Sequence, residues 1–196
     1  MESEKSTLVI GDLTALFAAR SKCKKSINYS KLDSALKRVM GVSSFDANIW
    51  FTLFRQDNEK QASFIQGLRD IGWVIETVPS REVKRMQDTR DYRFDSRIAY
   101  SLGNACETYD RVVVVSDSYE LFAPICALQD DDAEIETFLA FFPEALDGRW
   151  WRELRNNDSK LSFIDLELEL NTERRLDIQP EHVEQPSEAV CNGPEN

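Results

Sequence analysis

The chain holds a single histidine, His182, in 196 residues. A His-based metal centre or a Ser-His-Asp triad therefore has nothing to be built from. Cysteine is almost as scarce. Cys23, Cys106, Cys126 and Cys191 are the only four, and none is spaced as CxxC. This is no zinc ribbon or redox pair, and it reads as a set of reduced thiols in a cytoplasmic protein. No apolar run reaches the roughly 18 residues of a membrane span. The first residues, MESEKSTLVIG, lack the charged-then-apolar pattern of a leader. A Gly-rich phosphate loop is absent, which excludes a P-loop NTPase. Asp12-Leu-Thr14 lacks the second Asp, two residues on, of an aspartyl-phosphate phosphatase. Positive charge is in deficit, with 24 Lys and Arg against 35 Asp and Glu and a formal net charge of −11. Coating nucleic acid by bulk charge is excluded, so any such contact needs a local basic patch. Chemistry, if present, falls to carboxylates.

What remains is ordinary globular composition, 42% hydrophobic, enough for one domain. Short apolar runs alternate with helical stretches. Strands are expected at Thr7–Gly11, Asn48–Phe54, Trp73–Val78, Arg111–Ser116, Ala133–Phe141 and Leu161–Leu166. Helices are expected over about 30–40, 58–70, 94–108, 119–129 and 144–155. In the first, Leu32, Ala35, Leu36 and Val39 fall on one face, and Gly41 stops it. Arg111-Val-Val-Val-Val-Ser116 is apolar throughout, as a central parallel strand is. The alternation predicts an α/β fold: a three-layer α/β/α sandwich around a mostly parallel sheet of five or six strands. Residues 80–93 are polar, without a period. From about Asn171 the pattern fades, and the last 21 residues hold five acids, three Pro and no Lys or Arg. Residues 1–170 are thus expected to form the domain and 171–196 a disordered acidic tail.

In such sheets ligands bind beyond the carboxyl ends of the strands. Asp12 ends the first strand, Asp117 follows the central one, and Glu120 lies one turn further. Asp95 opens the helix before the central strand. Carboxylates meeting at one sheet edge, without His or Cys, suit Mg²⁺ or Mn²⁺. Such an ion activates water for phosphodiester cleavage. Each acid also has a simpler role open to it. Asp12 can cap the next helix, Asp117 can cap helix 119–129, and Asp95 can cap its own helix or pair with Arg97.

The combination resembles the NYN domain of the PIN-like nuclease superfamily (LabA-like branch) over about residues 7–167. Leu8-Val-Ile-Gly-Asp12-Leu-Thr-Ala-Leu-Phe17 is similar to the family's opening strand and acid. Asp57 to Thr77 resembles its helix, glycine and strand. Asp95 matches its third acidic element. Val112-Val-Val-Val-Ser116-Asp117 with Phe122-Ala-Pro124-Ile resembles its Ser-Gly-Asp, Phe, Pro stretch, and Ser162-Phe-Ile-Asp-Leu166 its closing strand. The acidic motifs are degenerate. Ala15 replaces an Asn, the glycine before Asp117 is missing, and Tyr100-Ser101 stands where a further acid is expected. The resemblance implies a metal-dependent endoribonuclease acting on single-stranded RNA, with Asp12, Asp95 and Asp117 on Mg²⁺ or Mn²⁺ and Glu120 as auxiliary acid. The alternative is a weakened or inactive relative serving as an RNA-binding or protein-interaction module, alone or as a homo-oligomer.

A phosphate clamp is expected from Arg81, Lys84, Arg85, Arg90 and Arg93, where with Arg97 six bases face four acids, leaving +2. The same segment can equally be a solvated loop. Lys22, Lys24 and Lys25 make a second basic cluster. Trp150-Trp151, between Arg149 and Arg152, can stack bases or pack in the core. Asp130-Asp131-Asp132 reads as a solvated loop.

Overall fold

The computed structural model describes residues 5–23, 26–55, 57–80, 92–105, 107–130, 135–156 and 160–177. Six strands form one sheet: β1 (Thr7–Asp12), β2 (Ala47–Phe54), β3 (Val74–Pro79), β4 (Arg111–Val115), β5 (Glu136–Phe141) and β6 (Leu161–Asp165). Every pairing is parallel, in the order β3-β2-β1-β4-β5-β6. The order reverses between β1 and β4, which makes their carboxyl ends the natural crevice of the sheet. Both strands are apolar because helices cover both faces, and Val9, Ile10 and Val112–Val115 are fully buried.

Seven α-helices are described: α1 (Leu13–Cys23), α2 (Tyr29–Met40), α3 (Glu59–Asp70), α4 (Asp95–Gly103), α5 (Phe122–Asp130), α6 (Gly148–Leu154) and α7 (Leu166–Asp177). Phe17 of α1, Tyr29 of α2 and Phe64 of α3 pack ring to ring, and α7 joins α2 through Arg38–Glu169 at 2.8 Å. Across the sheet, α4 packs on α5, and Phe122 of α5 meets Trp150 of α6 at 5.9 Å. The molecule is thus the expected three-layer α/β/α sandwich, with a sheet that is wholly parallel. None of the described helices is long and apolar enough to cross a membrane.

Two helices were not expected from the pattern. In α1, Leu13, Ala15, Leu16, Phe17, Ala18 and Ala19 spread around the axis and leave no stripe. In α7, Leu166, Leu168 and Leu170 alternate with Glu167 and Glu169, a strand-like period. Asp165 overrides it by accepting from the backbone NH groups of Glu167 and Leu168, starting a helix. The helix continues to Asp177, so 171–177 belong to the fold rather than to a tail, and 178–196 lie outside the described residues. Helix 119–129 begins as a 3₁₀ turn, Tyr119–Leu121, before α5. The expected helices 94–108 and 144–155 shorten to α4 and α6, the latter started by Asp147.

A buried polar network ties α2 to the sheet. The carboxylate of Asp33 accepts from Trp73 Nε1 at 2.9 Å and Asn48 Nδ2 at 3.2 Å, and pairs with Lys37 at 2.7 Å. Trp73 stacks on Trp50 at 4.3 Å and 7°. Asp33→Ala should strand both buried donors and lower stability by about 2 kcal/mol, read as a fall in Tm of roughly 4–8 °C.

Candidate functional site

At the crevice between β1 and β4 the chain turns straight from Asp12 into α1. The Oδ1 of Asp12 accepts from the backbone NH groups of Thr14 at 2.7 Å and Ala15 at 3.1 Å. The capping role is therefore real. It also blocks one function. A helix N-terminus at this point in a doubly wound sheet commonly receives a ligand phosphate, and here the protein's own carboxylate takes that place. Asp12 is 1% exposed, and burial lifts its carboxyl to about 6. The two backbone bonds and Arg93 oppose the rise, while the nearby Asp117 carboxylate adds to it.

Asp117, just past β4, is not the cap of the turn that follows, which is Ser118. It accepts from Arg93 Nη1 at 2.8 Å. Asp95 is the first residue of α4 rather than its cap, which is Phe94. Its Oδ1 is buried and has no hydrogen-bond partner among the described residues. Burial raises the Asp95 carboxyl above its ordinary range, with Asp117 and Glu120 adding to the rise and the Ser118 hydroxyl and Arg93 opposing it. Asp12, Asp95 and Asp117 thus lie within one electrostatic neighbourhood, with Arg93 as the cation common to Asp12, Asp95 and Asp117. Glu120 stands further out, 71% exposed and 3.6 Å from Arg149.

Asp95, Asp117 and Glu120 open into a cleft of about 490 Å³, together with Lys22, Arg93, Ser118, Tyr119, Asp147 and Arg149. Asp12 is not among its lining residues. Among the described residues no three acidic, His or Cys side chains form a group able to hold a metal ion.

Of the expected phosphate clamp, Arg93 lines the cleft, with Lys22 from the second cluster. Arg81, Lys84, Arg85, Arg90, Lys24 and Lys25 lie outside the described residues, as do Asp131 and Asp132. Neither tryptophan of the Trp150-Trp151 pair is placed to stack bases in the cleft. Trp150 is fully buried, and Trp151 packs edge-on against Phe163 at 5.2 Å. Cleft residues that the sequence did not mark as site residues are Ser118, Tyr119, Asp147 and Arg149, the last named only as a flank of the Trp pair. The one local signal was the Asp-Gly-Arg step, in which Asp147 caps α6 by accepting from the backbone NH of Arg149 at 2.9 Å.

No family model and no curated protein matches this chain. Its fold is similar to the crystal structure of a Vibrio parahaemolyticus protein of unknown function. The TM-score is 0.62 at 14% identity, covering 84% of this chain and 96% of that one. At that identity the likeness extends to the fold alone.

Proposed function

We propose that the cleft is the site of a metal-dependent endoribonuclease that acts on single-stranded RNA in the cytoplasm. The observation that carries the reading is the buried, unpartnered Oδ1 of Asp95 beside Asp117, at the switch point of the sheet. A buried carboxylate oxygen without a donor is costly, and a hard divalent cation supplies what it lacks. Mg²⁺ is commonly held by one or two carboxylates plus substrate phosphate, and that donor set fits here. Asp95 and Asp117 would hold the ion, with Ser118 orienting Asp95. When bound, Mg²⁺ or Mn²⁺ offsets phosphate charge and lowers the pKa of attached water. Arg93 and Lys22 bind the RNA phosphates, and Glu120, exposed at the rim, accepts a proton.

One observation favours a second reading, a non-catalytic RNA-binding or protein-interaction module. Arg93 already gives Asp117 a positive partner at 2.8 Å, so the pair is neutralised without metal. Incubation of the purified chain with 5′-labelled single-stranded RNA separates the two. The nuclease reading expects cleavage with Mn²⁺, its arrest by chelator, and a loss of about tenfold or more in Asp117→Asn. Removing a metal-facing charge on this scale lies within what transition-state electrostatics contributes. Cleavage unaffected by chelator, or equal in wild type and Asp117→Asn, overturns it. Binding without cleavage supports the second reading.

A further inference from the structure

Besides Asp95 and Asp117, the cleft is lined by Tyr119 and Arg149, which belong to a layered stack. The rings of Phe122 and Tyr119 lie parallel, 5.4 Å apart and within 7°. Trp150 meets both edge-on, at 74° and 79°, and fixes their plane. The Tyr119 hydroxyl donates to Glu153 at 2.9 Å, which locks the ring in rotation. On the Tyr119 ring lies the guanidinium of Arg149, 4.5 Å from its centroid. Asp147 grips that guanidinium with both oxygens, Nη2 at 2.9 Å and Nε at 3.2 and 3.3 Å. The Arg149 side chain nevertheless remains 50% exposed and lines the cleft.

A long cation is normally loose, and ordering it costs rotamer entropy. Here the ordering is done beforehand, by an aromatic floor and a carboxylate clamp. A guanidinium plane fixed in place over a ring is a surface on which nucleobases stack, and stacking tolerates any base because every base has a π-face. The cleft volume of about 490 Å³ lies within the range of about 300–1,000 Å³ usual for ligand sites. Lys22 and Arg93 line the same cleft and suit the phosphates that flank a stacked base.

We infer that Arg149, held over the Tyr119 ring by Asp147, is the base-stacking subsite of the cleft and takes an unpaired nucleotide of a single strand. The inference rests on the proposed function for its ligand class, but it does not depend on cleavage. The test is therefore equilibrium binding in chelator, where no metal-dependent cutting occurs. Two probes are used: a labelled hexauridylate, and the same backbone with abasic sugars. Arg149→Lys keeps the charge and removes the plane. It should weaken hexauridylate about tenfold and the abasic strand by less than about twofold. Arg149→Ala removes both and should weaken both probes.

Equal weakening of both probes by Arg149→Lys, or none, overturns the subsite and leaves Arg149 a point charge or a bystander. No binding of either probe by wild type overturns it as well. Uridine monophosphate that competes as well as the hexamer moves the ligand from a strand to a free nucleotide and overturns the strand. A wild type that binds as described but never cleaves with Mn²⁺ overturns only the nuclease reading and keeps the subsite.

Discussion

Gly11→Ala should lower the melting temperature by about 10 °C or prevent folding at 37 °C. Gly11 lies on β1 directly across from Trp50 of β2, residue for residue in the parallel register. The indole of Trp50 lies over it, and a Cβ built at Gly11 falls closer than 3.0 Å to Cζ3 and Cε3 of that ring. The glycine is needed for space here, not for an unusual backbone conformation. The indole has nowhere to retreat. It is fully buried, stacked on Trp73 at 4.3 Å, and donates through Nε1 to Asn48, which is itself bonded to Asp33. Overpacking typically costs about 1–3 kcal/mol and sometimes more, and a rigid ring held on two sides belongs at or beyond the upper end. The double variant Gly11→Ala/Trp50→Leu should recover part of the loss, because its two sites touch. Thermal melts of the three proteins check this. A single variant within about 2 °C of wild type would show that the Trp50–Trp73 stack moves freely.

Asp12→Asn should stabilise the protein at pH 8, and the gain should shrink towards pH 5. Burial raises the Asp12 carboxyl from 3.8 to about 6 in the folded state. The sign follows from linkage: a group raised on folding favours the native state while protonated. Its contribution is fully present below about 4 and is lost as pH rises through about 6. Above that, the buried charge costs on the order of 2–3 kcal/mol. Asn is as good a helix cap as Asp, so the bonds from Thr14 and Ala15 survive while the charge goes. Its new amide donor also stands in the field of the Asp117 carboxylate. The expected gain at pH 8 is about 5–10 °C in melting temperature. Under the proposed function the same variant loses activity, since Asp12 adds negative charge to the acid neighbourhood that would attract the cation. A variant less stable than wild type at pH 8 would mean that Asp12 is favourably charged in place. Stability traded against function at one residue is common at sites of concentrated charge.

Much of the sheet was legible in the chain. Val112–Val115 and Leu8–Ile10 are continuous apolar runs, which only a strand covered on both faces can afford to be. Their ends marked Asp12 and Asp117, and the structure brings Asp95 and Asp117 into one cleft that Asp12 does not line. The helices of ambiguous period were not legible. In α1 the buried side chains are Leu13, Ala15, Leu16 and Ala19, but Ala18 is exposed and Phe17 half-buried, so apolar residues also occupy the outer side and no amphipathic stripe exists to be read. The alternation in α7 points to a strand, and one side chain, Asp165, reverses that choice by capping. The Trp150-Trp151 pair shows a different limit. Composition made it a stacking candidate, yet Trp150 is the buried support of a stack whose exposed layer is Arg149.

By itself the sequence determined the fold class, the list of six strands, and which acids sit at strand ends. These follow from local rules, since burial on both faces, helix period and capping are written within about ten residues of chain. The tertiary structure decided the rest. It paired Arg93 with Asp117, left Asp95 Oδ1 without a donor among the described residues, hid Asp12 from the cleft and laid Arg149 over the Tyr119 ring. Each of these depends on where segments tens of residues apart meet, and on how much water reaches them there. Charge and hydrogen-bond partners are properties of that meeting, and no local pattern encodes them.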